Sequence, residues 1–441
     1  MTDLRPIVAR VAVSLPFRVA VAVVCLVFHT MMMARVGRDR FDYKFNAAPG
    51  QAPVFHHPES DARPENWDRL IVSRWDAQHY EAIALRGYAT CKSASQLQSG
   101  EFPDDDKTCE LDFYPTYGWL GAAVMKVTHL PVDYALYGIS LAASFFFLLM
   151  WTSRTMVDGL GLGLTYLSLL LLNLFDTAYT LVTVQTEPCV LVLTLGAFLC
   201  LRKRWLLFGA ILAGAATSIR ISGVATGFAY CAGLLVLTLR EPPRERAGWV
   251  WRGALMAVSG WGIIALMAYY RHRFGDALIY AHAHERAFNH HPSLAKILIP
   301  DGRLLMQSIW AEPNEGVILA AGLLWFALGH RKGLVGFPLE GKAFFYVLFF
   351  GIVGICMYGS VEYAYGGNSR YMVTVLPIFF AMAGMMRRRP VVLALWLFMS
   401  VMHYYHGNIC FYVGQNHPER LHRCSFARYF RSEGLKDGTE H

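Results

Sequence analysis

Long apolar runs recur along most of this chain, and they limit what it can fold into more than any other feature. They extend from Val11 to His406, and many approach the roughly 20 residues that a helix needs to cross a hydrocarbon core about 30 Å thick. Hydrophobic residues make up 55% of the chain and charged residues 16%, unlike an ordinary soluble domain. The sequence therefore predicts an all-α polytopic membrane protein.

Eleven transmembrane helices are predicted from these runs. No linker rich in Ser, Gly or Pro divides them, so residues 1–406 are expected to form one integral-membrane domain, followed by a tail at 407–441. The first span follows Arg5, Arg10 and Arg18, and because no small-x-small cleavage site comes after it, we expect it to be retained. The other predicted spans are 134–152, 159–175, 187–201, 205–221, 224–239, 252–270, 316–330, 343–361, 371–386 and 390–406.

The distribution of Lys and Arg predicts which ends of the spans face the cytoplasm. The net charge is +8, and the basic residues concentrate in alternate short gaps, mainly at 202–204, 240–252, 331–342 and 387–389. Such gaps are typical of cytoplasmic loops. No basic stripe is interleaved with stacking aromatics, so nucleic acid is not an expected partner. We expect a protein of the cytoplasmic membrane with its N-terminus inside and its C-terminal tail outside.

This topology leaves two long loops outside, 35–130 and 271–315. Within the first loop, 73–86 has helical periodicity and Gly87 is placed to end that helix. The segment 113–130 is just long enough to cross, but it contains Pro115, two glycines and Lys126. The charge pattern requires it to lie at the interface or to re-enter, so the first external loop is expected to carry interfacial helices.

The first loop also carries candidate catalytic residues. Asp76 lies in RWDAQHY, and His79 and Tyr80 share its helix face at i+3 and i+4. The carboxylate could take a proton from a hydroxyl nucleophile. Alternatively, Ser73 and Asp76 have the spacing of a capping box. Asp112 precedes FYPTY, where it could bind a metal, orient an acceptor or cap the following helix.

Three further charged residues interrupt apolar segments. Glu187 immediately precedes a span, where it could orient a substrate or simply complement the helix dipole beside Pro188. Arg220 lies within a long apolar run, so it should pair, face a polar cavity or extend to the interface. Arg370 opens another span, either as a phosphate ligand or as an interfacial anchor. The predicted topology places all these motifs at the outer face, which is where the site is expected.

Cysteine and histidine give no sign of a metal site. No CxxC or Cys/His metal spacing occurs. The spacing of the histidines in AHAHERAFNHHPS argues against a preformed zinc site and favours an amphipathic segment that covers the functional site; these are His282, His284, His290 and His291. Four cysteines fall outside the membrane with three connectivities open, namely Cys91, Cys109, Cys410 and Cys424.

The chain resembles the PIG-V family, also called the GPI mannosyltransferase 2 family, and looks like a bacterial-type relative. The resemblance covers about residues 74–377 in five ordered blocks: RWDAQHYEAIALRGY, FYPTY, QTEP, ATSIRISG and SRYMVTVLP. It departs from the family where Phe113-Tyr114-Pro115 replaces Phe-Phe-Pro and Gln185-Thr186-Glu187 replaces Tyr-Ser-Glu. The insert from Cys91 to Cys109 is also longer.

The resemblance implies the GT-C glycosyltransferase fold and transfer of a hexose, mannose by family likeness, from a polyprenyl-phosphate donor. The acceptor would be a lipid or glycan hydroxyl on the outer side, and the anomeric configuration would invert. Asp76 would be the general base, Arg220 and Arg370 would bind the donor phosphate, and the substrate-orienting residues would be His79, Tyr80, Asp112 and Glu187. No cofactor is expected, and a divalent metal is possible but not favoured. The alternatives are a transporter or flippase of lipid-linked sugars, or a scaffold without turnover.

Overall fold

The computed structural model describes residues 5–40, 76–88, 110–175, 177–288, 313–358 and 368–413, and within these ranges it is helical without strands. A 3-10 helix covers Ala178–Val182. The α-helices are α1 Arg5–Ala12, α2 Leu15–Arg40, α3 Ala77–Arg86, α4 Thr116–Thr128, α5 Val132–Trp151, α6 Arg154–Leu160, α7 Leu162–Asn173, α8 Glu187–Arg202, α9 Leu206–Ile219, α10 Ile221–Arg240, α11 Arg246–Val258, α12 Trp261–Phe274, α13 Ile279–Phe288, α14 Pro313–Gly333, α15 Leu339–Tyr358, α16 Asn368–Val373, α17 Leu376–Met386 and α18 Pro390–Val413.

The helices are those of a membrane-embedded protein. Among the described residues, α2, α5 and α10 are each long and apolar enough to cross a bilayer. Two bent pairs, α6 with α7 and α11 with α12, raise the number to five if each pair counts as one span. These five match predicted spans in the sequence. The remaining spans of the predicted eleven, and the GT-C fold, stay predictions.

Three predicted spans are interrupted in the structure. The predicted span 159–175 begins at the last two residues of α6 and contains α7, and the two helices are bent by 104° at Gly161, whose φ is +82°. The predicted span 252–270 consists of α11 and α12, bent by 55°. The predicted span 371–386 is divided into α16 and α17 just before Pro377, which has no backbone N–H to continue the helix. Apolar composition continues across each break, so hydropathy alone does not reveal it.

Helices α3 and α4, from the long segment before the second predicted span, pack on each other and on α5. Helix α4 has 13 residues and a length of about 20 Å, which is short of the bilayer core. It contacts both α3 and α5. The tyrosine hydroxyl of Tyr117 on α4 donates to the carbonyl oxygen of Leu136 on α5, at 2.8 Å. Helix α3, which follows Asp76, is therefore fixed against the helical core.

Helices α8, α9 and α10 follow one another as packed neighbours, and α15 packs along α10. Since α8 runs from Glu187 to Arg202 over 16 residues, its two ends are about 24 Å apart. Arg220 joins α9 to α10 at the same end as Glu187, and Arg240 lies at the other end. There Arg202, Arg204 and Arg240 surround Glu340 at the start of α15, and we call these four residues the basic end.

Gly223 allows α9 and α10 to approach closely next to Arg220. A Cβ atom at this position would lie 1.9 Å from the carbonyl oxygen of Ala216, a backbone atom that cannot rotate away. We expect Gly223→Ala to separate the helices and to lower the free energy of unfolding by about 1–3 kcal/mol. Denaturation of the purified protein in detergent measures this change.

The matched control is Gly138→Ala on α5, where a Cβ would have no atom within 4 Å. Alanine is the better helix former, so this variant should be neutral or slightly stabilised. Equal stability of the two variants would contradict the close contact at Gly223.

Candidate active site

Four charged residues from separate parts of the chain meet in one cluster. Arg370 donates from Nη2 to Asp76 Oδ2 at 2.9 Å and from Nε to Glu187 Oε1 at 3.1 Å. Arg220 donates from Nη1 to the same Glu187 oxygen at 3.0 Å. Glu187 Oε1 therefore joins both guanidinium groups. The sequence predicted that these residues share one site, and the structure brings them into direct contact.

Each member of the cluster is placed by a helix end. Asp76 immediately precedes α3, and Glu187 is the first residue of α8. Arg220 has an extended backbone, φ −159° and ψ 157°, at the junction of α9 and α10. Arg370 is in the short helix α16. Because these helix ends lie next to one another, the long side chains at these positions can meet across the ends of several helices.

Burial differs across the cluster. The exposed fraction of the side chain is 24% for Asp76, 14% for Arg370, 11% for Arg220 and 1% for Glu187. Glu187 thus forms the floor and Asp76 lies nearest to solvent. Two carboxylates face two guanidinium groups, so the cluster is electrically balanced, as a partly buried set of charges requires. Neither arginine is an exposed interfacial anchor.

The Asp76 carboxylate binds Arg370 and does not cap helix α3. It stands at the N-cap position of α3 without a side-chain hydrogen bond to the helix backbone. Ser73, the other residue of the predicted capping box, lies outside the described residues. Burial alone would raise the pKa of the Asp76 carboxyl, but the charges of Arg370 and Arg220 and the hydrogen bond from Arg370 outweigh it. The pKa of Asp76 is therefore below its ordinary value of 3.8.

This lowered pKa predicts how stability depends on pH. A carboxyl whose pKa is lower in the folded state stabilises the fold above its unfolded pKa, and that contribution is lost as pH falls through the folded value. We expect the Asp76 contribution to be complete above about pH 5 and to decrease below about pH 4. Thermal unfolding measured from pH 2 to 6 should show that Asp76→Asn loses less stability in acid than the wild type does. Identical acid profiles would contradict the Asp76–Arg370 pair.

The predicted substrate-orienting residues of the first loop gather around the ring of Phe113. His79 stacks on this ring with centroids 4.2 Å apart, and Tyr80 meets it edge-on at 5.6 Å. Tyr80 is only 3% exposed, and burial raises the pKa of its hydroxyl. Asp112, the residue before Phe113, is 6% exposed. Tyr80 is therefore buried against Phe113, while His79 on the same ring is half-buried.

Three residues that the sequence did not nominate also contact the arginines. Gln185 accepts a hydrogen bond from Arg370, and the Thr186 hydroxyl accepts one from Arg220 at 3.1 Å. The ring of Tyr371 lies 4.7 Å from the Arg220 guanidinium carbon. Each of them lies within two positions of Glu187 or Arg370 in the sequence, and this proximity is the signal that could have identified them.

Helix α13 lies beside the Phe113 region. Its Tyr280 packs on Tyr114 with ring centroids 4.4 Å apart. His282 pairs with Asp276 through Nδ1 and Oδ2 at 2.7 Å. The contact between Tyr280 and Tyr114 therefore places the residue just before the predicted covering segment next to the Phe113 region. The side chain of His284, together with His290 and His291, lies outside the described residues.

The described residues bear on part of the metal and disulfide predictions. Over the described ranges, no group of three or more His, Cys, Asp or Glu side chains could hold a metal ion. Cys25, Cys189, Cys200 and Cys231 are free thiols. The cysteines with predicted pairing fall outside the residues whose side chains are described; these are Cys91, Cys109, Cys410 and Cys424.

Comparison with known proteins gives no relative. No model of a protein family, no curated protein and no solved structure matches the chain. The grounds for a function are therefore the charged cluster and the motif resemblance.

Proposed function

We propose that this protein is a glycosyltransferase that moves a hexose, mannose by motif resemblance, from a polyprenyl-phosphate donor to an acceptor hydroxyl with inversion. The observation that supports this proposal best is the largely buried cluster of Asp76, Glu187, Arg220 and Arg370. It combines a carboxylate near solvent with two guanidinium groups, which are the groups that deprotonation of a hydroxyl and departure of a phosphate require.

The proposed reaction is a single displacement at the sugar C1. The acceptor oxygen attacks C1 while the bond from C1 to the phosphate oxygen breaks, and the polyprenyl phosphate leaves with the electron pair. Asp76 takes the proton of the acceptor hydroxyl. Arg220 and Arg370 stabilise the negative charge that develops on the leaving phosphate. The bond from the acceptor oxygen to C1 replaces the bond from C1 to the phosphate oxygen, and the proton moves to Asp76. The atoms and charges of the reaction therefore balance without a metal or cofactor.

Arg220 and Arg370 each have guanidinium N–H groups that could donate hydrogen bonds to a phosphate. Arg220 directs only Nη1 to described residues, and Arg370 directs Nε and Nη2 to them. The other guanidinium N–H groups make no hydrogen bond within the described part of the chain. Guanidinium groups match phosphate oxygens in geometry and stay charged at all working pH values. A phosphate between the arginines would also compete with Asp76 for Arg370, which would leave that carboxylate a stronger base.

The proposed site faces away from the cytoplasm. Support comes from the basic end, which lies about 24 Å away at the other ends of α8 and α10. Clustered arginines at helix ends favour the cytoplasmic side. On this basis the acceptor would be a lipid or glycan outside the cytoplasmic membrane.

The direct test is a transfer assay with the purified full chain in proteoliposomes. A synthetic polyprenyl-phosphate mannose is supplied with candidate lipid and glycan acceptors, and products are identified by mass spectrometry. Transfer with inverted configuration is the expected result. Movement of intact donor between leaflets without any product would favour a transporter, and donor binding without product or movement would favour a scaffold.

A further inference from the structure

The basic end holds more positive charge than its acidic partners neutralise. Arg202 Nη1 lies 3.5 Å and Arg204 Nη1 3.3 Å from Glu340 Oε1, and Arg240 Nη1 lies 3.5 Å from Oε2. Arg204 also pairs with Glu241 at 2.6 Å. Three guanidinium groups therefore share two carboxylates, at distances to Glu340 that are long for hydrogen bonds. The neighbouring Lys203 adds a further positive charge.

Arg204 occupies a backbone conformation that glycine would adopt more readily. Its φ is +63°, in the left-handed region, within the turn between α8 and α9. A residue with a Cβ atom is strained there, and such strain persists where the side chain or its surroundings offset it. The retained side chain is 41% exposed and reaches both Glu340 and Glu241. Arg204 therefore places a third guanidinium group at this end in spite of its backbone strain.

The basic end also has the features of a membrane surface. Arg240 is the last residue of α10, one of the helices long and apolar enough to cross a bilayer. Trp205 is 58% exposed, and the Lys203 ammonium lies 5.2 Å from its ring centroid. Tryptophan and lysine or arginine side chains together are typical of the headgroup region. An anion that reaches this end would therefore come from the lipid surface.

We propose that the basic end binds the phosphodiester headgroup of an anionic phospholipid. The phosphate oxygens accept hydrogen bonds from Arg204 and Arg240, which are half exposed, while buried Glu340 holds the three arginines together from behind. Trp205 packs on the glycerol and upper acyl region. This site lies at the opposite end of α8 and α10 from the catalytic cluster, so it does not depend on the proposed transfer reaction.

The test measures lipid retention by the full-length protein. Protein purified in neutral detergent is incubated with equal phosphatidylglycerol and phosphatidylcholine, and bound lipid is counted by native mass spectrometry; inorganic phosphate is a separate competitor. We expect preferential retention of phosphatidylglycerol that millimolar phosphate does not remove. Arg204→Gly, which also relieves the backbone strain, and Arg240→Ala should each weaken retention about fivefold.

Arg154→Ala is the control, because Arg154 is 84% exposed and outside the cluster. It should retain phosphatidylglycerol as the wild type does, and thermal unfolding in neutral detergent checks that all variants are folded. Equal retention of both lipids would overturn the proposal. So would complete displacement by inorganic phosphate, which would indicate a site for free anions, or undiminished retention by folded Arg204→Gly and Arg240→Ala.

Discussion

Asp76→Asn should lower the rate of sugar transfer by about 10²–10⁴-fold, the range that a positioned general base contributes. The asparagine side chain has nearly the same shape but cannot accept the proton of the acceptor hydroxyl. Binding of the polyprenyl-phosphate donor should be at least as tight as in the wild type, because Arg370 loses a carboxylate that competes with the phosphate. Initial rates at saturating donor, together with donor binding measured without acceptor, separate the two effects.

Asp158→Asn is the matched control, since Asp158 lies on α6 and is 66% exposed. It makes the same chemical change away from the cluster and should leave the transfer rate unaltered. Turnover that survives in Asp76→Asn would exclude Asp76 as the base while leaving the proposed reaction in place. Loss of donor binding together with turnover would instead indicate that Asp76 organises the site.

Glu187→Ala should produce the largest loss of stability of any single change in the cluster. The substitution removes the oxygen that accepts hydrogen bonds from both Arg220 and Arg370, whose side chains are only 11% and 14% exposed. Removing one partner from a buried set of charges leaves the others uncompensated, which costs about 3–5 kcal/mol. Unfolding of the purified protein by increasing SDS in mixed micelles measures the change in free energy.

The comparison variant is Asp158→Ala, which breaks an exposed pair. Arg154 and Asp158 are 84% and 66% exposed and 3.9 Å apart, so their contribution should be below about 0.5 kcal/mol. Glu187→Gln should fall between the two, because the amide keeps a hydrogen-bond acceptor but not the charge. If Glu187→Ala proves as stable as Asp158→Ala, water compensates the arginines and the cluster is not a structural element.

The site residues could be nominated from the sequence because each one is unusual in its local context. Arg220 interrupts an apolar run, where an unpaired guanidinium is costly. Glu187 and Arg370 stand where apolar segments begin, and Asp76 follows a tryptophan in an otherwise amphipathic helix. The same reasoning missed Gln185, Thr186 and Tyr371, since these uncharged residues do not stand out locally, and only their nearness to Glu187 or Arg370 distinguishes them.

The bends in the helices could not be predicted from hydropathy. Gly161 and Pro377 lie next to or within apolar runs, and glycine and proline are both frequent within membrane helices. Whether such a residue bends the chain depends on how neighbouring helices pack and satisfy the freed backbone groups. For this reason all five of the supported spans match a predicted position, but only α2, α5 and α10 are continuous helices.

The sequence by itself determined that this is a helical membrane protein and which charged residues must find partners, because exposing a run of apolar residues to water or burying an isolated charge has a large and local free-energy cost. The tertiary structure alone decided which partners those charges have. Asp76 and Arg370 are 294 positions apart, and nothing local specifies that Arg370 reaches both Asp76 and Glu187, or that Arg220 meets the same oxygen. That choice depends on the relative placement of helix ends, which arises from packing across the whole core and not from any one segment.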